Sequence, residues 1–183
     1  PDGGGVASPT RAQAETVRTA VRHARPKLSL CEKPLAANAE DGRAMVADCR
    51  EAGCRLVVNF PRRASPAVLD VRRRMAEGDI AQPVRGVLFY AKGLVHSGSH
   101  FLDLLRFWLG PPTGFTLIDA GRRWRSDDAE PDVRITFGAS RVDFLAVRDE
   151  DFAVHELHLA AANGMLRYLR GGAQVEWFGA APD

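Results

Sequence analysis

The sequence predicts two successive architectures: a parallel α/β piece, then a helix packed on an open, mainly antiparallel sheet. Three observations carry this reading. The first third alternates amphipathic helical stretches with short apolar runs, the order that gives right-handed parallel crossovers. One strongly apolar helical stretch, "GSHFLDLLRFWLGPP", stands in the middle. The last third is a series of short runs divided by turn residues, with half-buried alternation in "DVRITF".

The elements follow in order. "TRAQAETVRTAVRHAR" sets Ala14, Val17, Val21 and Ala24 on one helical stripe, with Thr10 as N-cap and Pro26 as the stop. "KLSLC" reads as a strand. "NAEDGRAMVADCREAG" reads as a helix capped by Asn38, facing Met45, Cys49 and Ala52 inward and ended by Gly53. "CRLVVNF" is a continuous apolar run, expected to be a strand buried on both faces. Ser65, Pro66 and Gly78 punctuate a further helix, "SPAVLDVRRRMAEGD". Its Arg72-Arg73-Arg74 run reads as a solvated face. After the strand "PVRGVLFYAKG", the central helix carries Phe101, Leu104, Leu105 and Trp108 as its apolar stripe and ends at Gly110 and two prolines. In the last third, Val133, Ile135 and Phe137 alternate with polar neighbours, and Gly171-Gly172 fits a tight hairpin. His155 and His158 read as sheet residues without an assigned role.

Composition narrows the function classes. The 183 residues suffice for one good core or two small lobes, and 45% hydrophobic with 26% charged residues is ordinary for a globular chain. A net charge of +2 gives no argument for a nucleic-acid partner. No apolar stretch approaches the ~20 residues of a membrane helix. Cys31, Cys49 and Cys54 form neither a zinc spacing nor an even disulfide framework, so reduced thiols in a cytoplasm are expected. "PDGGGVASPT" lacks the charged and apolar regions of a signal peptide.

Three short stretches carry candidate chemistry. In "LSLCEKPLA", Lys33 stands between Glu32 and Pro34 just past a strand end, where parallel sheets bind ligands. A desolvated lysine there can act as acid or base; the alternative is a Lys–Glu pair at a loop. In "HSGSHFLD", His100 and Asp103 share one face at the start of a helix, with His96 in the lead-in. The helix dipole disfavours a cation at that end, which suits an imidazole for accepting a proton. The alternative is a helix cap with merely polar histidines. Zinc wants three or four ligands and no third is marked, so no metal is expected. In "NFPRR", Arg62 and Arg63 follow another strand end and can bind phosphate or carboxylate, or simply line the surface. "GGGVAS" comes close to a dinucleotide fingerprint, but Ser8 stands where the last glycine or alanine belongs and no strand precedes it.

Taken together, "CEKPLA", "NFPRR", an "SP"-started helix, "YAKG" and "GSHFLDLLRFWLG" resemble the Gfo/Idh/MocA family of NAD(P)-dependent oxidoreductases, over roughly residues 6–178. The resemblance implies a Rossmann-type domain, here residues 1–60, joined to a substrate and dimerisation domain, residues 61–183. It implies NAD or NADP as cofactor, a sugar-like substrate, and a homo-oligomer formed through the antiparallel sheet. It implies that Lys33 is the catalytic lysine, with Glu32 and Pro34 shaping a turn at the cofactor, and that the Lys33–Pro34 bond can be cis, as in some relatives. His100 matches the histidine of a D-x-G-x-H-x-x-D pattern and Asp103 its last aspartate. Arg62, Arg63, Asp103 and Lys92 fall on the substrate side.

The departures are specific. His96 replaces the first aspartate of that pattern, and Pro61 replaces a common asparagine. "DGGGVASPTRAQAET" resembles the fourth Rossmann strand and its helix, so the first three strands, the glycine-rich phosphate turn and the ribose-binding acid are expected to be missing from this stretch. The sheet is likewise expected to lack its last strand or strands. Weak or no cofactor binding is therefore expected. Two other readings use the same residues: a redox-silent relative in which Lys33, His96 and His100 do acid–base chemistry, and a non-catalytic oligomerising subunit.

Overall fold

The structure, a computed structural model, describes the backbone of residues 3–6 and 10–180 and the side chains from residue 13 to 180. It divides into two compact units, Pro1–Phe60 and Pro61–Asp183.

The first unit alternates strand and helix: β1 (Gly3–Val6), α1 (Thr10–His23), β2 (Leu28–Cys31), α2 (Ala39–Glu51) and β3 (Arg55–Val58). The three strands are parallel, in the order β1-β2-β3. The glycine run is thus a strand, despite the weakness glycine brings. The cap expected of Thr10, and Ser8, lie outside the described side chains.

Asn38 caps α2 as its sequence predicts: its side-chain oxygen accepts from the Asp41 N–H at 2.8 Å. Gly53, at φ +68, turns the chain out of the helix. The core is Val17, Val21, Cys31, Met45, Cys49 and Cys54. Ala24 and Ala52, expected inward, are exposed because each falls one residue past its helix. β3 is not buried on both faces as its apolar run predicts. It is an edge strand, and Leu56, Val57 and Val58 are half-buried.

The second unit begins with a 3₁₀ turn (Pro61–Ala64) and α3 (Pro66–Glu77). Ser65 occupies the N-cap without a side-chain bond, and Gly78 closes α3 in the left-handed region, at φ +86. β4 (Arg85–Tyr90) leads through a π-helical turn (Leu94–Gly98) into α4 (Ser99–Leu109). Then come β5 (Gly114–Arg125), β6 (Asp128–Phe137), β7 (Ser140–Ala146), a single helical turn α5 (Asp149–Phe152), β8 (Glu156–Ala161), β9 (Gly164–Leu169) and β10 (Gln174–Gly179). The seven strands order as β10-β9-β8-β4-β7-β6-β5, antiparallel except for β4 and β7.

The amphipathic stripes of α3 and α4 close over this sheet. Phe101, Leu104 and Leu105 of α4 are fully buried with Leu88, Val142, Phe144, Leu157 and Tyr168. The Trp108 indole N–H donates to the Val68 carbonyl at 3.1 Å, which ties α4 to α3. Arg73 is an exposed arginine paired with Asp70 and Glu77, whereas Arg72 and Arg74 lie over the rings of Phe107 and Trp177. The β9–β10 connection is a four-residue turn, since Leu169 pairs with Gln174; the glycine pair lies within this hairpin connection, as expected. His158 lies in β8, and His155 immediately precedes it.

Candidate functional site

In the first unit, the candidate lysine stands at the carboxyl end of β2. The Lys33–Pro34 peptide bond is cis. Three contacts hold the turn. The Asn59 backbone N–H donates to the Cys31 carbonyl at 2.7 Å, which extends the β2–β3 ladder one residue. The Asn59 amide donates to the Glu32 carboxylate at 2.7 Å, and the Gln13 amide donates to the Pro34 carbonyl at 3.1 Å. Leu35 and Ala36 then pack against the cysteine-containing core. Lys33 itself is half-buried. So a carboxylate and a proline flank the ammonium because each is fixed by a neighbour, not because Glu32 is left to the lysine alone. Burial pushes the Cys49 thiol up to about 11 and also raises that of Cys31, which makes these two poor nucleophiles.

In the second unit, the two adjacent arginines of "PRR" diverge. Arg63 makes a two-pronged pair with Asp103: its Nε donates to Oδ2 at 2.7 Å and its Nη2 donates to Oδ1. Asp103 is buried at 9% exposure, so its carboxylate serves α4's attachment to the 3₁₀ turn. Arg62 instead lies 4.8 Å above the Phe101 ring, near the Tyr168 hydroxyl. Burial lowers its pKa, and the Tyr168 oxygen only partly offsets this.

His96 sits on the π-helical turn, exposed, with its ring 5.1 Å from that of Trp124 and tilted by 31°. Its backbone is fixed from below. Asp128 accepts from the Val95 and His96 N–H groups at 2.9 and 2.8 Å, and Glu130 accepts from the Gly93 N–H at 3.1 Å. These carboxylates satisfy the free N–H groups that open a helical segment. Gly93 is required there, because it stands at φ +81 and a Cβ would collide with the Asp128 carboxylate. Lys92, exposed and at φ +66, stands just before it. His100 is half-buried in the first turn of α4.

Sequence reasoning passed over Asp128 and Glu130. The irregularity at Pro131–Asp132 shifts the inward positions by one, so Asp128 and Glu130 are buried although Val133 onward follows the opposite parity. Two acids two residues apart, just ahead of an apolar alternation, were the available signal. It also left His155 without a role. The His155 ring stacks on Phe101, 6.4 Å away, and its Nε2 lies 3.3 Å from the Ala91 carbonyl. Burial lowers its pKa, and the charges of Arg62 and Lys92 lower it further.

Comparison with known proteins fits this arrangement. Residues 1–60 match the oxidoreductase family described as having an NAD-binding Rossmann fold. D-apiose dehydrogenase of Paraburkholderia graminis is 33% identical over 126 residues, which are 68% of this chain and 32% of that protein. 1,5-Anhydro-D-fructose reductase of Ensifer adhaerens is 45% identical over 62 residues, 34% of this chain and 19% of that one. The matches therefore span a third or less of these relatives. The WlbA dehydrogenase of Bordetella pertussis, solved with NADH and UDP-GlcNAcA, shares the fold at a TM-score of 0.84 and 20% identity, over 100% of this chain and 60% of that one. With its parallel first unit, its helix-covered second sheet and these relatives, the chain belongs to the Gfo/Idh/MocA family of oxidoreductases.

Proposed function

We propose that the chain serves hydride transfer linked to NAD(P), at a hydroxyl or carbonyl of a sugar-like substrate, with Lys33 moving the proton. The observation that carries this is the Glu32–Lys33–Pro34 turn, held at a strand's carboxyl end by Asn59 and Gln13. In this reading residues 1–60 are the second half of a Rossmann-type domain and residues 61–183 the substrate and dimerisation domain.

The first unit suits one end of a nicotinamide cofactor better than the other. Glu32, Lys33 and Pro34 form a strand-end turn fit for the reacting end. Among the described residues of that unit, no strand runs through a glycine-rich turn onto a helix N-terminus, the arrangement that grips a pyrophosphate. A bound nicotinamide would take up or give the hydride. Lys33 accepts the hydroxyl proton as the carbonyl forms and returns it in the reverse direction. His100, half-buried at the start of α4, orients the hydroxyl, and His96 stands ready to relay its proton. Arg62 and Lys92 bind the substrate's polar groups, while Arg63 acts by holding Asp103.

The test is nicotinamide absorbance at millimolar cofactor with a panel of aldoses, uronates and inositols. Lys33→Met should lower turnover by about 10²–10⁴-fold, the scale of general acid–base catalysis. Unchanged turnover would remove Lys33 from the chemistry.

A second reading, association into a homo-oligomer through the antiparallel sheet, is favoured by β5. This strand lies at the sheet's edge and exposes Phe115 at 80%, Leu117 at 58% and Ile118 at 51%. Sedimentation of Phe115→Glu against the parent chain checks it: the variant should lose mass, and equal masses would sink it. A reducing, cytoplasmic setting agrees with three buried free cysteines.

A further inference from the structure

Arg62 carries a contradiction within the second unit. Its guanidinium is partly buried, and its Nη1 is a buried atom without a hydrogen-bond partner. Among the described residues no carboxylate pairs with it, in contrast to Arg63 and Asp103. A partly buried cation that lacks both a counter-charge and a full set of acceptors is costly, and a ligand is one way to complete it.

The space beside Arg62 fits that need. A cavity of about 560 Å³ is lined by Arg62, His155, Glu156, Arg170 and Gly171, together with residues 152–154. Its size lies within the roughly 300–1,000 Å³ usual for small-molecule sites. Arg170 stands at this cavity in the left-handed region, φ +51, an unfavourable conformation for a residue with a side chain. Its turn is held rigidly: the Gly171 N–H donates to the His155 carbonyl at 3.0 Å, and the Tyr168 hydroxyl donates to the Gly171 carbonyl at 3.0 Å. Gly171 stands at φ +65, in the left-handed region that favours glycine.

We propose that this cavity receives the carboxylate of an acidic, sugar-like molecule, with the guanidinium groups of Arg62 and Arg170 supplying the positive charge. A carboxylate is favoured over a phosphate dianion because Glu156 lines the same space and opposes a second negative charge. The sugar-like part rests on the proposed function; the carboxylate part rests on the cavity alone.

The experiment is a titration of the 183-residue chain without cofactor, followed by calorimetry and by the His155 ring-proton signals. D-Glucuronate, D-glucose and inorganic phosphate are the probes. D-Glucuronate should bind about tenfold or more tightly than either of the others and should move the His155 signals. Arg62→Lys, which keeps the charge but loses the planar fork, should weaken it by about tenfold. Arg170→Asn tolerates the left-handed backbone and should weaken it several-fold with the fold intact. Equal binding of D-glucuronate and D-glucose overturns the inference, as does tighter binding of phosphate, or indifference to both substitutions. Lys33-dependent oxidation of a neutral sugar without D-glucuronate binding would remove this inference and leave the dehydrogenase reading. D-Glucuronate binding without any turnover would do the reverse.

Discussion

The two units solve the same problem, holding a functional side chain at a strand end, by different means. In the first, the sheet is covered on one face: Ser29 and Cys31 are buried, while Leu28 and Leu30 on the other face are 40% and 41% exposed. Its lysine turn depends on a small core and on the side chains of Gln13 and Asn59. In the second, α3 and α4 bury an extensive apolar core, and Arg62, Arg63 and His155 are fixed by the Phe101 and Phe107 rings and by Asp103. The difference teaches that reactivity and rigidity are unequally shared. The proposed proton carrier sits in the unit with the smaller core, and the proposed recognition groups sit in the unit with the larger one.

The largest expected effect breaks that contrast. All three tryptophans, Trp108, Trp124 and Trp177, lie in the second unit, so their fluorescence reports that unit alone, whereas far-ultraviolet dichroism reports both. In urea, dichroism should begin to fall before fluorescence changes. Phe101→Ala should destabilise the fluorescence transition by about 3–5 kcal/mol. Met45→Ala, by about 2–5 kcal/mol, should move only the early dichroism phase. Coincident transitions in the parent chain would show one cooperative unit instead of two.

A smaller effect sharpens the comparison inside the second unit. Asp128→Ala leaves the Val95 and His96 N–H groups without their carboxylate and should cost about 1.5–3 kcal/mol for the lost charge-assisted hydrogen bonds. Fast amide exchange confined to residues 93–98, with Phe101 still protected, is the expected signature. Unchanged protection there would mean that Asp128 does not position His96.

The smallest effect is a pH dependence. Burial holds the His155 pKa below its ordinary 6.5. The unfolded chain therefore binds more protons than the folded one as pH falls below about 6.5, and the second unit loses stability on acidification until the folded value is passed. Above that window the contribution is complete. His155→Gln should flatten the fluorescence midpoint between mildly acidic and neutral pH, and an equally steep profile in the variant would assign the dependence to another group. Asp143, held low by its Arg134 partner, contributes only at more acidic pH, below its ordinary 3.8.

Much of this was legible in the sequence, and the failures have physical causes. The Asn38 cap, the glycine stops and the α4 stripe are local signals, and each appears where its residues predict. The exposure of β3 was not legible. An apolar run records that a strand is hydrophobic, but not whether it stands at the edge of its sheet. Asp128 and Glu130 were hidden by a change of strand parity at Pro131–Asp132. The divergence of Arg62 and Arg63 depends on Asp103, Phe101 and Tyr168, from 39 or more residues further along, and no spacing rule reaches that far.

In the function proposed above, Lys33 moves the proton and the second unit contacts the substrate, while the described residues of the first unit offer the cofactor's phosphates no glycine-rich turn at a helix N-terminus. Calorimetric titration of NADH and NADPH into the 183-residue chain tests it most directly. No saturable binding in the micromolar range is expected for either nucleotide. Micromolar affinity for one of them would contradict it.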